Sequence, residues 1–355
     1  MLQDKTLSGM IPKELEQVVA ELGQPRFVAR QLADWLYKKR VFDFGEMTNV
    51  SKRVRELLAE HYELGRRRPV DKSVSRDGTI KYLFPAADGR TVEAVFIPDH
   101  DRATLCVSSQ VGCKMGCRFC MTGRQGFEAN LTAAEILNQI YSLPEFDRLT
   151  NIVFMGQGEP FDNTDEVMRA LEVLTADWGL AWSPKRITVS TVGVMKGLRR
   201  FIEESRCNLA ISLHFAHGAD RAAYMPAQRP YPIEDVVEML RHEDFCRDAD
   251  EENPREGSHQ RRLSFEYILF EGLNDKVHHL DKIVRLLRGL DCRVNLIPFH
   301  SIPDSPFVGA SAEKLMHVRN YLTSKGLFAT VRASRGQDIE AACGLLNTKH
   351  KGEKR

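Results

Sequence analysis

The strongest constraint on the fold is an alternation that begins near residue 103. Short apolar, β-branched runs are each followed by an amphipathic stretch of helical period. ATLCVSS precedes TAAEILNQIYSL, NIVFM precedes DEVMRALEVL, and RITVS precedes MKGLRRFIEE. NLAISLH precedes IEDVVEMLRH, LSFEYILF precedes HHLDKIVRLLRG, and CRVNLIPF precedes AEKLMHVRNYL. Successive strands joined by helical crossovers run parallel. The six β/α units, spread over about 220 residues, therefore predict an α/β core at 101–333. It fits a partial (β/α)6 barrel of six strands, with a doubly wound open sheet as the alternative. Thr132 and Glu135 have capping-box spacing at the first helix. A last apolar segment, ATVRAS, leads into a C-terminal extension at 334–355, and DADEENPREGSHQ, 248–260, reads as a polar, mobile loop.

Residues 1–64 have a different pattern. Leu15, Val18, Val19 and Leu22 form one helical stripe that ends at Gly23; Phe27, Val28, Leu32, Trp35 and Leu36 form a second. Val50, Val54, Leu57 and Leu58 form a third, with Asn49 or Ser51 as its cap. These helices bury their stripes against one another as a small accessory domain. Residues 65–100 then switch to period two: TIKYLF, a turn at Asp88-Gly89, and TVEAVFI predict a β-hairpin connector. Glu93 shares a strand face with Val95 and Ile97. A carboxylate there is either an exposed strand residue or a placed acid or base.

The composition, 43% hydrophobic and 28% charged, suits a soluble globular protein. No apolar run approaches the roughly 20 residues of a membrane-spanning helix, and MLQDKTLSGM lacks a signal-peptide core. A cytoplasmic, membrane-free location is expected. A net charge of +1 argues against a strong overall basic field, and no DNA partner is expected. Basic clusters at Lys38-Lys39-Arg40, Arg66-Arg67-Arg68, Arg261-Arg262 and the tail KHKGEKR are either solvated faces or contacts to an RNA backbone. The three arginines at 66–68 are the first candidates for phosphate contacts.

In a reducing compartment, clustered cysteines point to metal binding or catalysis. Cys113, Cys117 and Cys120 have C-x3-C-x2-C spacing. Three thiolates on one tight loop can each take one iron of a cubane cluster, leaving a fourth iron free. Zinc is the competitor, with Cys106 as a fourth ligand seven residues upstream. Cys207, Cys246 and Cys292 read as ordinary buried cysteines. Other distinctive residues fall where strands end, the usual place for function in β/α barrels. Gly156 and Gly158 permit close backbone approach, and Glu159 can accept bonds from an ammonium group. Ser190, Ser212 and His214 supply polar groups at later strand ends, with Leu213 between the last two; His300 follows the sixth strand. Each also has an ordinary structural reading as a turn glycine, a cap or a core histidine.

The cysteine spacing, with Phe119 before the last thiol, resembles the signature of the radical S-adenosylmethionine (SAM) superfamily. CVSSQVGC, GFEANLTAAEI, MGQGEP, AISLH, NLIPFH and DIEAACG together resemble the RlmN/Cfr adenosine methyltransferases over nearly the whole chain, including LADWLYKKR and DFGEMTNVSK near the N-terminus. The resemblance implies a 4Fe–4S cluster on Cys113, Cys117 and Cys120, and two SAM molecules per turnover, with SAM contacts at Gly158, Glu159, Ser190, Ser212, Leu213, His214 and His300. It implies that Cys343 accepts a methyl group, that Cys106 later forms a disulfide with it, and that Glu93 accepts a proton. The implied partners are 23S rRNA, tRNA for some members, and an electron donor such as flavodoxin with its reductase. Pro160 matches members that methylate adenine C2, whereas C8-methylating members carry alanine. Gln157 departs from the usual methionine and His300 from the usual asparagine.

Overall fold

The computed structural model describes residues 6–243, 245–246 and 261–346. The polar segment at 248–260 and the basic tail lie outside them. Among the described residues, twelve strands build the sheets: β1 Asp71–Val74, β2 Ile80–Pro85, β3 Thr91–Asp99, β4 Arg102–Cys106, β5 Gln110–Gly112, β6 Phe127–Asn130, β7 Asn151–Phe154, β8 Ile187–Thr191, β9 Asn208–Ser212, β10 Leu263–Leu269, β11 Arg293–Pro298 and β12 Phe328–Val331. Ten form one sheet in the order β1-β2-β3-β4-β7-β8-β9-β10-β11-β12. From β4 onward every neighbouring pair is parallel.

This is the α/β, partial-barrel architecture, with two differences from the sequence reading. ATVRAS supplies a seventh parallel strand, β12, paired with β11. The predicted hairpin is β2 and β3, but it gains β1 and joins the core sheet through the antiparallel β3–β4 pair. β1 and β12 are the two ends of the sheet, so the barrel stays open. The C-terminal segment bridges that gap. Gly336 N donates to Asp77 Oδ2 at 2.8 Å, Ser75 Oγ bonds Asp338, and Arg335 pairs with Asp99 at 2.7 Å.

The core helices run outside the sheet. The first, Ala133–Tyr141, carries the expected capping box between Thr132 and Glu135. At the N-terminus, helices Pro12–Glu21, Phe27–Ala33 and Lys52–His61 bury Leu15, Val18, Val19, Leu32 and Val54, and Ser51 caps the third. Phe27, assigned to the second stripe, is instead 61% exposed because it opens its helix on the solvent side. Arg66 is a second correction. Its guanidinium donates to Leu36 O and lies 4.1 Å from the Tyr141 ring centre, and burial pulls it down to about 10. It joins the helical domain to the barrel and cannot also hold an RNA phosphate. Arg67 pairs with Glu63.

Candidate active site at the barrel mouth

Cys113, Cys117 and Cys120 occupy the loop between β5 and the short helix Met121–Gln125. The small β5–β6 hairpin, which the sequence reading missed, pinches that loop at its base. Cys113 N donates to Gly126 O at 3.0 Å. The pinch requires glycine: Gly112 has φ +74°, and a Cβ there would stand 1.8 Å from Gly126 O. All three thiols line one cavity of about 160 Å³. Burial pushes Cys113 up to about 12 and raises Cys117 and Cys120. They are therefore neutral thiols until a cationic iron draws off the protons. Among the described residues, no group of three His, Cys, Asp or Glu side chains converges as a single-ion site. Three thiols around one cavity suit a cluster that takes one iron per cysteine and leaves a fourth iron open.

The opposite wall of that cavity comes from the ends of β7, β8 and β9. Gly158, Glu159, Ser190, Ser212 and His214 all line it. Glu159 is buried, and burial raises its carboxyl to about 7 although Thr191 Oγ1 and the N–H groups of Val192 and Phe161 donate to it. A ligand ammonium beside it would restore the carboxylate. His214 is held neutral, down to about 3, by burial and then by Arg221. Its Nδ1 accepts from Ile268 N at 3.2 Å, and the ring meets Phe119 edge-on at 5.2 Å. Leu213 is buried and its side chain faces neither cavity; its carbonyl accepts from Arg221. Arg221, fully buried, also donates to Val192 O at 2.8 Å and Ser212 O at 3.1 Å, tying the ends of β8 and β9 together.

A second, larger cleft adjoins the first and is lined by Cys106, Cys120, His300, Arg332 and Cys343. Cys343 lines both spaces. The chain brings it there because Met121 N donates to Gly344 O at 2.8 Å and Thr122 Oγ1 to Leu346 O at 2.8 Å. Ala341 and Leu346 pack against Cys106, Val95 and Val153. Both sulfurs are free thiols. Cys343 is exposed, while burial pushes Cys106 up to about 12. Arg332 faces both, and the Cys343 sulfur raises it above its usual value.

Two expected site residues stand apart. Glu93 is buried but lines neither space; it pairs with Lys81 at 3.2 Å. His300 lies in the second cleft, away from Ser190 and Ser212, and shares a 2.7 Å hydrogen bond with Ser334. Of the three cysteines read as buried, only Cys207 is; Cys246 and Cys292 are half-buried, and Cys246 Sγ donates to Asp291 O. Sequence reasoning missed Glu266 and Arg332, which face each other at 3.8 Å. The available signal was a charge inside the apolar run LSFEYILF and another directly after the apolar residues of ATVRAS.

Comparison with known proteins agrees with this geometry. Residues 5–64 match the ribosomal RNA large subunit methyltransferase N-terminal domain, and residues 107–245 match the radical SAM superfamily. A probable dual-specificity RNA methyltransferase RlmN of Bacteroides thetaiotaomicron is 56% identical, covering 98% of this chain and 97% of its own. The dual-specificity RNA methyltransferase RlmN of Syntrophobacter fumaroxidans is 43% identical, covering 94% of this chain and 95% of its own. The crystal structure of a radical SAM methyltransferase from Sphaerobacter thermophilus superposes with a TM-score of 0.88 at 39% identity, covering 97% of this chain and all of that one.

Proposed function

The chain belongs to the RlmN family of radical SAM RNA methyltransferases, and from that premise we propose that it methylates C2 of adenosine in 23S rRNA and in tRNA through its own Cys343. As a member it is an enzyme that uses a 4Fe–4S cluster and SAM. The observation that carries the cysteine route is the position of Cys343, on the wall shared by the cluster cavity and the adjoining cleft.

An adenine C2–H is not nucleophilic, so direct methyl transfer from SAM fails there and a carbon radical is needed. When bound, the cluster supplies the electron that converts SAM into a hydrogen-abstracting 5′-deoxyadenosyl radical. Cys343 first takes a methyl group on sulfur and gives up its thiol proton. Its S–CH3 then faces the radical source on one side and the cleft on the other. After losing one hydrogen atom, the S–CH2 radical adds to C2 of the base; the base radical so formed gives up one electron, which the cluster when bound would take back, and leaves Cys343 covalently joined to RNA. Cys106, which lines the same cleft, gives up its thiol proton and attacks the Cys343 sulfur; the S–S bond forms as the S–CH2 bond breaks, and the released carbon takes up a proton to become the methyl group of the product. Glu159 and the hydroxyls of Ser190 and Ser212 hold the amino-acid and ribose ends of SAM, and His214, neutral, offers a fixed polar edge. Glu93 takes the proton from C2 only after its carboxylate exchanges Lys81 for the substrate.

Pro160 favours C2 over C8, and an electron donor of the flavodoxin class with its reductase, in the cytoplasm, completes the reading. No helix among the described residues is long and apolar enough to cross a membrane. The test is Cys106→Ala: the variant should load methyl on Cys343 and then accumulate a covalent RNA–protein adduct, seen as a band shift that nuclease removes. Normal turnover by this variant would remove Cys106 from the mechanism.

A further inference from the structure

Most β/α barrels fill their lumen with branched apolar side chains. This one does not. Along β4 the inward positions are Arg102, Thr104 and Cys106; along β10 they are Ser264 and Glu266; along β11 they are Arg293, Asn295 and Ile297. The lumen is therefore an open cleft of about 440 Å³, lined by polar and apolar groups in similar measure, that runs the height of the barrel. Its upper end holds Cys106 and Cys343. Its lower end, where the parallel strands begin, is ringed by Arg102, Lys185, Arg262 and Arg293.

Among the described residues, the charge at that lower rim is not offset locally. Of the two carboxylates lining the cleft, Asp99 is paired with Arg335. Glu266 accepts from Ser264 and Asn295 and faces Arg332. Asp101, next to Arg102, is exposed and is not part of the lining. Among the described residues, none of the four rim cations has a carboxylate within 4.0 Å. Arg293 only overlies the Phe328 ring, at 5.7 Å. Four cations with no carboxylate of the described residues beside them, around an open shaft, form an electrostatic funnel for a polyanion.

We propose that the target nucleotide enters from the strand-start end of the barrel. Its base projects up the lumen to Cys343, and Arg102, Lys185, Arg262 and Arg293 hold the flanking RNA phosphates. This rests on the RNA-methylating role above and deepens it. Cys343 lines both spaces, and Cys113, Cys117, Glu159, Ser190 and Ser212 line only the upper one; the lower shaft is the free route to its other side. The shaft's amide and hydroxyl groups suit a nucleoside taken out of its stack.

The test uses the full-length, cluster-loaded protein and a tRNA transcript. Arg102→Gln with Arg262→Gln should weaken RNA binding at least about tenfold near physiological salt. It should also flatten the log–log salt dependence of binding by about 1.5, at roughly 0.7–0.9 per lost phosphate contact. SAM cleavage without RNA should match wild type, which shows that the cluster cavity is intact. Restoring charge with Arg102→Lys and Arg262→Lys should recover most of the slope. Unchanged affinity and slope in the Gln variant would overturn the proposal. So would a loss of RNA affinity confined to Arg118→Gln, on the cluster loop, because that places entry at the other mouth. Failure of wild type to methylate any RNA while still binding it through the rim would count against the activity and not against this docking surface.

Discussion

Replacing Arg221 with Met tests how the SAM wall is built. The guanidinium is fully buried and makes five hydrogen bonds: to Leu213 O, Gln228 Oε1, Tyr231 O, Val192 O and Ser212 O. Some acceptors keep another donor, since Phe215 N reaches Leu213 O and Ile233 N reaches Gln228 Oε1. Val192 O and Ser212 O lose this side-chain partner, and a stranded buried carbonyl costs about 1–3 kcal/mol. Removing a buried cation, which burial already pulls down to about 10, returns part of that cost. The net loss should be about 3 kcal/mol. It should appear in urea unfolding as a lower midpoint at constant slope, together with weaker SAM binding, because Ser212 and Val192 frame the SAM wall. Arg221→Lys should lose nearly as much, since one ammonium cannot reach carbonyls on two strands. A Met variant within about 1 kcal/mol of wild type, with SAM affinity unchanged, would refute the reasoning.

Other expectations follow from single contacts. Gly112→Ala forces a methyl group onto Gly126 O and a side chain into a left-handed backbone; it should cost at least about 2 kcal/mol and reduce iron and sulfide per chain to less than half. Glu159 has a folded value, about 7, above its unfolded value of 4.5. The folded protein therefore binds more protons between those values, and its stability should fall as pH rises from about 4.5 to 7, by about 3 kcal/mol at most. Glu159→Gln should flatten that slope, measured by urea midpoints across pH, and should weaken SAM binding.

The parts of the fold that depend on neighbours in sequence were legible. The six β/α periods and the Thr132–Glu135 cap could be read directly, because side-chain period and capping are local properties. The cysteine spacing was legible for the same reason: three ligands on one loop need no tertiary contact to be recognised. What stayed hidden was set by distant partners. β12 is four residues long, too short to stand out without β11 beside it. Arg66 looked like surface charge until Leu36 and Tyr141 closed over it. Glu93 read as either an exposed strand residue or a placed acid or base until Lys81 on the facing strand paired with it. The meeting of Cys106 with Cys343 spans most of the chain; only the resemblance to a family suggested it, and packing through Ala341 and Leu346 accounts for it.

The most direct measurement is anaerobic turnover of the cluster-loaded protein with SAM, a reductant and a 23S rRNA fragment or tRNA transcript, followed by mass spectrometry of the nucleosides. The account predicts 2-methyladenosine, with labelled methyl passing through Cys343 before it reaches RNA. 8-Methyladenosine, or label that reaches RNA without ever residing on Cys343, would contradict it.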